Sequence, residues 1–193
     1  ADTDTGTIDI DNTLSTAVSV TSLTTLLGGN ITFDQSGGGA VSFGTVSTGA
    51  SATPVEGEAD IDLSNTGGNL TIGVSVTALG LGNISYTTTT SGNIVLTGST
   101  AAIGDDVDVT AANSVTLTGT ISAADVDINA QAGSINGMGL VTAGVVDLDA
   151  ITGIGNTTAL ELAAATISAD TDTGTIDIDN TLSTAVSVTS LTT

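Results

Sequence analysis

The sequence predicts an all-β chain folded as a parallel β-helix, a β-solenoid with about three short strands per coil. Three observations carry that prediction. Residues 1–25, ADTDTGTIDIDNTLSTAVSVTSLTT, recur letter for letter as residues 169–193, an offset of 168. Between the two copies, a five-residue phrase of apolar, polar, apolar, polar and polar residues returns about every 24 positions. Glycine and asparagine punctuate the joints between apolar stretches.

The phrases are IDIDN, ITFDQ, IDLSN, ISYTT, VDVTA, VDINA and VDLDA. They begin at Ile8, Ile31, Ile61, Ile84, Val107, Val126 and Val146, and the phrase restarts at Ile176. The spacings of 23, 30, 23, 23, 19, 20 and 30 fill the offset with seven coils. Residues 1–168 therefore read as one complete tandem unit, and 169–193 as the start of the next identical one. The chain is expected to be a segment of a longer array.

Alternation with period two among β-branched residues marks a half-buried strand. A second strand follows about ten residues after each phrase, at Val18/Val20, Val41/Phe43, Leu70/Ile72, Ile94/Leu96, Val115/Leu117 and Leu160/Leu162. A third apolar point comes next, at Leu23, Val46, Val76, Ile121, Val141 and Ile167, with Ile103 the best candidate in the fourth coil. Corners fall at GGN (28–30 and 67–69) and GN (82–83 and 92–93), where glycine and asparagine tolerate positive φ. The longer coils hold extra loops, chiefly ASATPVEGEA at 50–59.

One such coil cannot bury its apolar side, but stacked coils share a continuous core. A solenoid of helical hairpins would need an apolar period of 3.6, and 25 Gly with 38 Thr disfavour helices. At ~4.8 Å per stacked strand, seven coils advance roughly 34 Å.

Composition narrows the chemistry. The 193 residues include no Lys, Arg, His or Cys against 21 Asp plus Glu, for a net charge of −21. Without cations the chain cannot neutralise nucleic-acid phosphates. Histidine bases, Schiff-base lysines, thiol nucleophiles and Cys/His zinc sites are excluded as well. A hydrophobic fraction of 39% and a mean hydropathy of +0.41 are too apolar for a disordered acidic coil. No apolar run reaches the length of a membrane span.

Phrases such as DIDLSNTGGNLTI (60–72), SVTLTGTISA (114–123) and SINGMGLVTAGVVDLDAITGIG (134–155) resemble repeats of filamentous haemagglutinin-like exoproteins. These are giant bacterial surface proteins often exported by two-partner secretion. The likeness is one of repeat style along the whole chain. It implies a right-handed β-helix, an extracellular location and an adhesive or fibre-forming role. It brings no catalytic residues.

The candidate site is acidic. Aligned phrases place Asp9, Asp62, Asp108, Asp127, Asp147 and Asp177 in one outward column, with Thr32 and Ser85 between them. Asp11, Asp34, Asp149 and Asp179 form a second column, and Asp60, Asp106 and Asp125 a third. Four consecutive coils are thus expected to carry Asp106/Asp108, Asp125/Asp127, Asp147/Asp149 and Asp177/Asp179. Carboxylates about 5 Å apart repel by roughly 0.8 kcal/mol per neighbour in water. A hard divalent cation such as Ca²⁺ would relieve them through oxygen ligands. The other reading is a solvated acidic face that keeps a repetitive fibre soluble. No EF-hand loop or nonapeptide calcium repeat is present.

Carboxylate pairs suited to glycoside hydrolysis occur in any acidic ladder, and an array that copies an unsheltered site argues against an enzyme. Asn30, Asn69, Asn83 and Asn156 each open an N-x-[ST] triplet that also reads as a corner. Phe33, Phe43 and Tyr86 fall on inward positions as core. The functional expectation is a structural fibre, stalk or adhesin shaft, non-enzymatic, whose partners are further copies of the repeat and like chains. The alternative is a module that binds a glycan or cell surface through loop 50–59 and the acidic face, with Ca²⁺ as a cofactor.

Overall fold

The computed structural model describes all 193 residues. It contains 19 strands and no helix, and every strand pairing is parallel. The chain is a stacked-coil β-solenoid with three faces per coil.

Face one is built on the column Ile8, Ile31, Ile61, Ile84, Val107, Val126, Val146, Ile167 and Val188. Face two stacks Val18, Val41, Leu70, Ile94, Val115, Ile135, Ile154 and Ile176. Face three stacks Leu23, Val46, Val76, Thr100, Ile121, Val141, Leu162 and Asn180. Because side chains alternate along a strand, each β-branched residue in these columns meets its counterparts one coil above and below. With the further inward residues of each strand, most of these columns build one core of 38 buried residues from Ile8 to Ala169. Phe33 and Phe43 meet edge to face at 5.1 Å inside the second coil.

Polar groups in this narrow core are placed at the corners. Thr25 Oγ1 donates to Gly29 O (2.6 Å), Thr48 Oγ1 to Ala59 O (2.7 Å) and Thr88 Oγ1 to Gly92 O (3.2 Å). Tyr86 and Thr100 share a hydroxyl hydrogen bond of 3.0 Å across the interior. Buried hydroxyls and amides cost little once paired. The fourth coil therefore fills its third face with Thr100, while Ile103 points outward and is 56% exposed.

Face one's innermost corner column reads Asn12, Gln35, Asn65 and Thr88, then Ala111, Ala130 and Ala150, then Thr171. The coils narrow with it. The first four spacings are 23, 30, 23 and 23 residues, the next four 19, 20, 21 and 21. The 30-residue coil is the one that carries loop 50–59, as its length implies.

The restart expected at Ile176 is where the structure departs from the sequence alignment. Val146 pairs with Ile167, not Ile176, because strands Leu140–Ala150 and Leu160–Thr171 run side by side through two faces. Ile154 supplies face two and Leu162 face three, so the coil closes after 21 residues. Ile176 then lands on face two, beside Ile154. The 168-residue offset thus carries the chain through seven coils and one further face.

Candidate functional site

The acidic columns lie on face one. The first reads Asp9, Thr32, Asp62, Ser85, Asp108, Asp127, Asp147 and Ser168. Asp108, Asp127 and Asp147 are the only run of three consecutive carboxylates in it, one per coil. The neighbouring column reads Asp11, Asp34, Ser64, Thr87, Thr110, Asn129, Asp149 and Asp170. Asp106 and Asp125 precede the paired Val107 and Val126, and the next position after Asp125 is Val145.

Two expected members are elsewhere. Asp177 and Asp179 do not stack on Asp147 and Asp149. Ser168 and Asp170 hold those places, while Asp179 pairs with Glu161 on face three. The cause is the early coil closure, which carries the second copy of IDIDN away from face one. The structure therefore brings together Asp106, Asp108, Asp125, Asp127, Asp147 and Asp149 and adds Asp170 to them.

Electrostatics follow from this crowding. Asp127 is held above the ordinary carboxylate value by partial burial, and further by Asp147, Asp108 and Asp149. Partial burial and then Asp147 and Asp170 raise Asp149. Asp108 and Asp62 are raised by burial and by Asp106 and Asp60 respectively. Beside loop 50–59, Asp105 is raised by desolvation and by Glu56, Asp106 and Asp60. With no cation in the chain, relief comes from hydroxyls. Ser64 Oγ donates to Asp34, and Ser190 Oγ donates to Asp170 Oδ1 at 2.9 Å. Nowhere do three or more carboxylates converge into a set that could hold a metal ion. The carboxylates are spaced one per coil along the columns, so each has like charges as its nearest ionised neighbours.

A second polar feature lies at the corners and is structural. Asn30 Oδ1 accepts the N–H of Asp60 (3.1 Å), Asp60 Oδ1 that of Asn83 (3.0 Å) and Asn83 Oδ1 that of Asp106 (3.2 Å). At the next corner Asn69 Oδ1 accepts from Asn93 (2.9 Å), Asn93 Oδ1 from Ser114 (3.1 Å) and Ser114 Oγ from Ser134 (3.2 Å). Each link satisfies a backbone N–H that the corner leaves outside the sheet ladder. Three of the four N-x-[ST] asparagines are spent in this way. The signal was present in the sequence as the column Asn30, Asp60, Asn83, Asp106, one residue before each strand.

Loop 50–59 is tied at its base. Ala59 N–H donates to Gly28 O (3.0 Å), Asn30 Nδ2 to Gly57 O (3.1 Å) and Ser51 Oγ to Glu58 Oε2 (2.8 Å). Thr53, Pro54, Val55 and Glu56 are left exposed at its tip. The two cavities reach the last coil. One of about 600 Å³ is lined by Asn129, Asp149, Asp170, Thr171 and Thr192. The other, about 290 Å³, is apolar and bounded by Ile167, Ile176, Ile178, Val188 and Leu191.

Comparison with family models, curated proteins and solved structures finds no match to this chain. The architecture, a repetitive parallel β-solenoid, is of a kind that fibrous and adhesive proteins use in general. No helix is long and apolar enough to cross a membrane.

Proposed function

We propose that the chain is a length of shaft: a structural repeat region of a filamentous haemagglutinin-like surface protein, forming an extracellular fibre, stalk or adhesin shaft. The observation that carries this reading is the unbroken stack. From Ile8 to Thr192 each interior coil is hydrogen-bonded to the coil before and the coil after it, around one 38-residue core. In such a quasi-one-dimensional array a coil opens only by breaking two interfaces, which suits a load-bearing spacer. Outward Asp columns give like charge along the length, so parallel shafts repel rather than stick. The carboxylates recur coil after coil along a face rather than forming one unique centre, and the reading is therefore of a non-enzymatic shaft.

Surface labelling tests the location. Antibody raised against the folded chain is expected to decorate intact, unpermeabilised cells of the source organism with extended structures. Labelling only after permeabilisation would defeat the extracellular part of the proposal.

A second reading is favoured by one observation, the pinned base and exposed tip of loop 50–59. A loop held on a rigid scaffold is where binding residues are commonly placed. In this reading the tip and the nearby Asp105 and Asp106 contact a glycan or cell surface, with Ca²⁺ as bridge. Loss of cell or glycan binding on replacing 52–57 with a short Gly-Ser turn would favour it. Unchanged binding would remove it.

A further inference from the structure

The two copies of the 25-residue sequence occupy different faces. In the first copy Asp2 and Thr3 lie on face three, Ile8 on face one and Ser22–Thr24 on face three. In the second, Asp170 and Thr171 lie on face one, Ile176 on face two and Ser190–Thr192 on face one. These end segments have moved by one face in the same sense, while the stretch between them is redistributed. Ile10–Asn12 lie on face one and Val20 on face two, whereas Ile178–Asn180 lie on face three and Val188 on face one. The turn after the phrase is kept, with Leu14 N–H closing on Asn12 Oδ1 (3.2 Å) as Leu182 N–H does on Asn180 Oδ1 (3.4 Å). The single strand Ile8–Asn12 becomes a bridge at Ile176 and a strand Ile178–Asn180. Val188 and Leu191 align with Ile167 and Ala169, as their first-copy counterparts Val20 and Leu23 align with Phe43 and Val46.

We infer that successive 168-residue units continue one solenoid whose coil phase advances by one face, a third of a turn, from each unit to the next, the second IDIDN phrase being spread over faces two and three to make that advance. The partner surface is the open last coil, and its occupant is the next stretch of the tandem sequence, a copy of residues 26–48. Two observations point to that occupant. The apolar cavity of Ile167, Ile176, Ile178, Val188 and Leu191 is a core cross-section that LLGGNITFDQSGGGAVSFGTVST, with its alternating apolar residues, is patterned to cover. Thr171, 6% exposed, has an unpaired hydroxyl. In the same column, Thr88 Oγ1 accepts the N–H of Ala112 from the next coil (3.0 Å). The corresponding donor for Thr171 is the N–H of the residue after Thr193, a leucine in the tandem sequence.

Rotation by one face has a consequence for display. The Asp108–Asp127–Asp147 run and loop 50–59 of neighbouring units point to different sides of the shaft. The pattern returns after three units, or 22 coils, about 105 Å at ~4.8 Å per coil. The inference rests on the shaft reading for its biological use and on register alone for its geometry.

Engineered disulfides test it, in a chain that has no cysteine of its own. Directly paired residues on adjacent parallel strands lie within the ~4.4–6.8 Å Cα window that a disulfide spans. Pairs are made both in this chain and in a two-unit chain, where the join is internal. Glu161→Cys with Asp179→Cys is expected to oxidise as completely as the control, Asp108→Cys with Asp127→Cys. Asp147→Cys with Asp177→Cys is expected to stay reduced. Cross-linking of 147 with 177, or of neither test pair while the control closes, would overturn the rotation. Filaments seen alongside a 147–177 cross-link would retain the shaft and reject the rotation. A 161–179 cross-link without filaments would do the reverse.

Discussion

Neutralising Asp127 should stabilise the protein at neutral pH. Asp127 stands between Asp108 and Asp147 in its column, with Asp149 on the diagonal, and no cation faces it. Two carboxylates about 5 Å away each contribute roughly 0.8 kcal/mol of repulsion in water. Screening at ~0.15 M salt cuts each to about half. Partial burial and the diagonal neighbour work the other way, leaving a gain of about 1 kcal/mol for Asp127→Asn. For a chain of this size that is a rise in Tm of about 2–4 °C. The assay is thermal unfolding by circular dichroism at pH 7.5 and again at pH 3, with and without calcium. The rise should appear at pH 7.5, shrink in high salt and fade toward pH 3, because Asp127, Asp108 and Asp149, all raised above the ordinary carboxylate value, take up protons as pH falls. A fall in Tm that appears only with calcium and is abolished by chelator would refute the reasoning. It would make Asp127 a cation ligand.

The same crowding sets the response to pH. Asp62, Asp105, Asp108, Asp127 and Asp149 all have folded-state values raised above the ordinary 3.8, so the folded chain binds protons more tightly than the unfolded one. That stabilisation is complete below the unfolded value and is lost as pH rises through the raised values; Tm should therefore climb as pH falls from 7 toward 4, and a monotonic fall would contradict it. Asn83→Ala leaves the Asp106 N–H without its acceptor and should cost about 1–2 kcal/mol in chemical denaturation. Asn83→Asp, which keeps the acceptor, should cost less at pH 4 than at pH 7. Tyr86→Phe strands the buried Thr100 hydroxyl, for a loss of about 1–2 kcal/mol that Tyr86→Phe with Thr100→Val should largely recover. Gly119→Ala would drive a Cβ to 1.8 Å from the Gly98 carbonyl oxygen, and should lower Tm more than any of these.

The solenoid is legible in the sequence because inward Ile, Val and Leu at period two recur in a phrase about every 24 residues, so that stacked coils align like with like. Register was equally legible from Ile8 to Val146, where each coil opens with the same phrase. It failed at the next coil for a physical reason. The strand TISAD opens with Thr166 and Ile167 but follows with Ala169, too small to announce an inward position, and the verbatim IDIDN at 176 competes for the alignment. What closes a coil is the summed length of three sides and their corners. Small Ala111, Ala130 and Ala150 at the corner column accompany coils of 19–21 residues, where Gln35, Asn65 and Thr88 accompany longer ones. Asp108, Asp127 and Asp147 stack in the expected register because they precede the early-closing coil, whereas Asp177 and Asp179 follow it and lie on other faces. The asparagine corner ladders are hidden in the sequence because a GN dipeptide reads equally well as a turn.

The most direct measurement is the length of chains containing one, two and three 168-residue units, by electron microscopy or small-angle scattering. A continuous solenoid predicts an unbranched rod of constant width that lengthens by about 35 Å per added unit, from seven and a third coils at ~4.8 Å. Units that fold as separate beads, or a length that does not grow linearly with unit number, would contradict it.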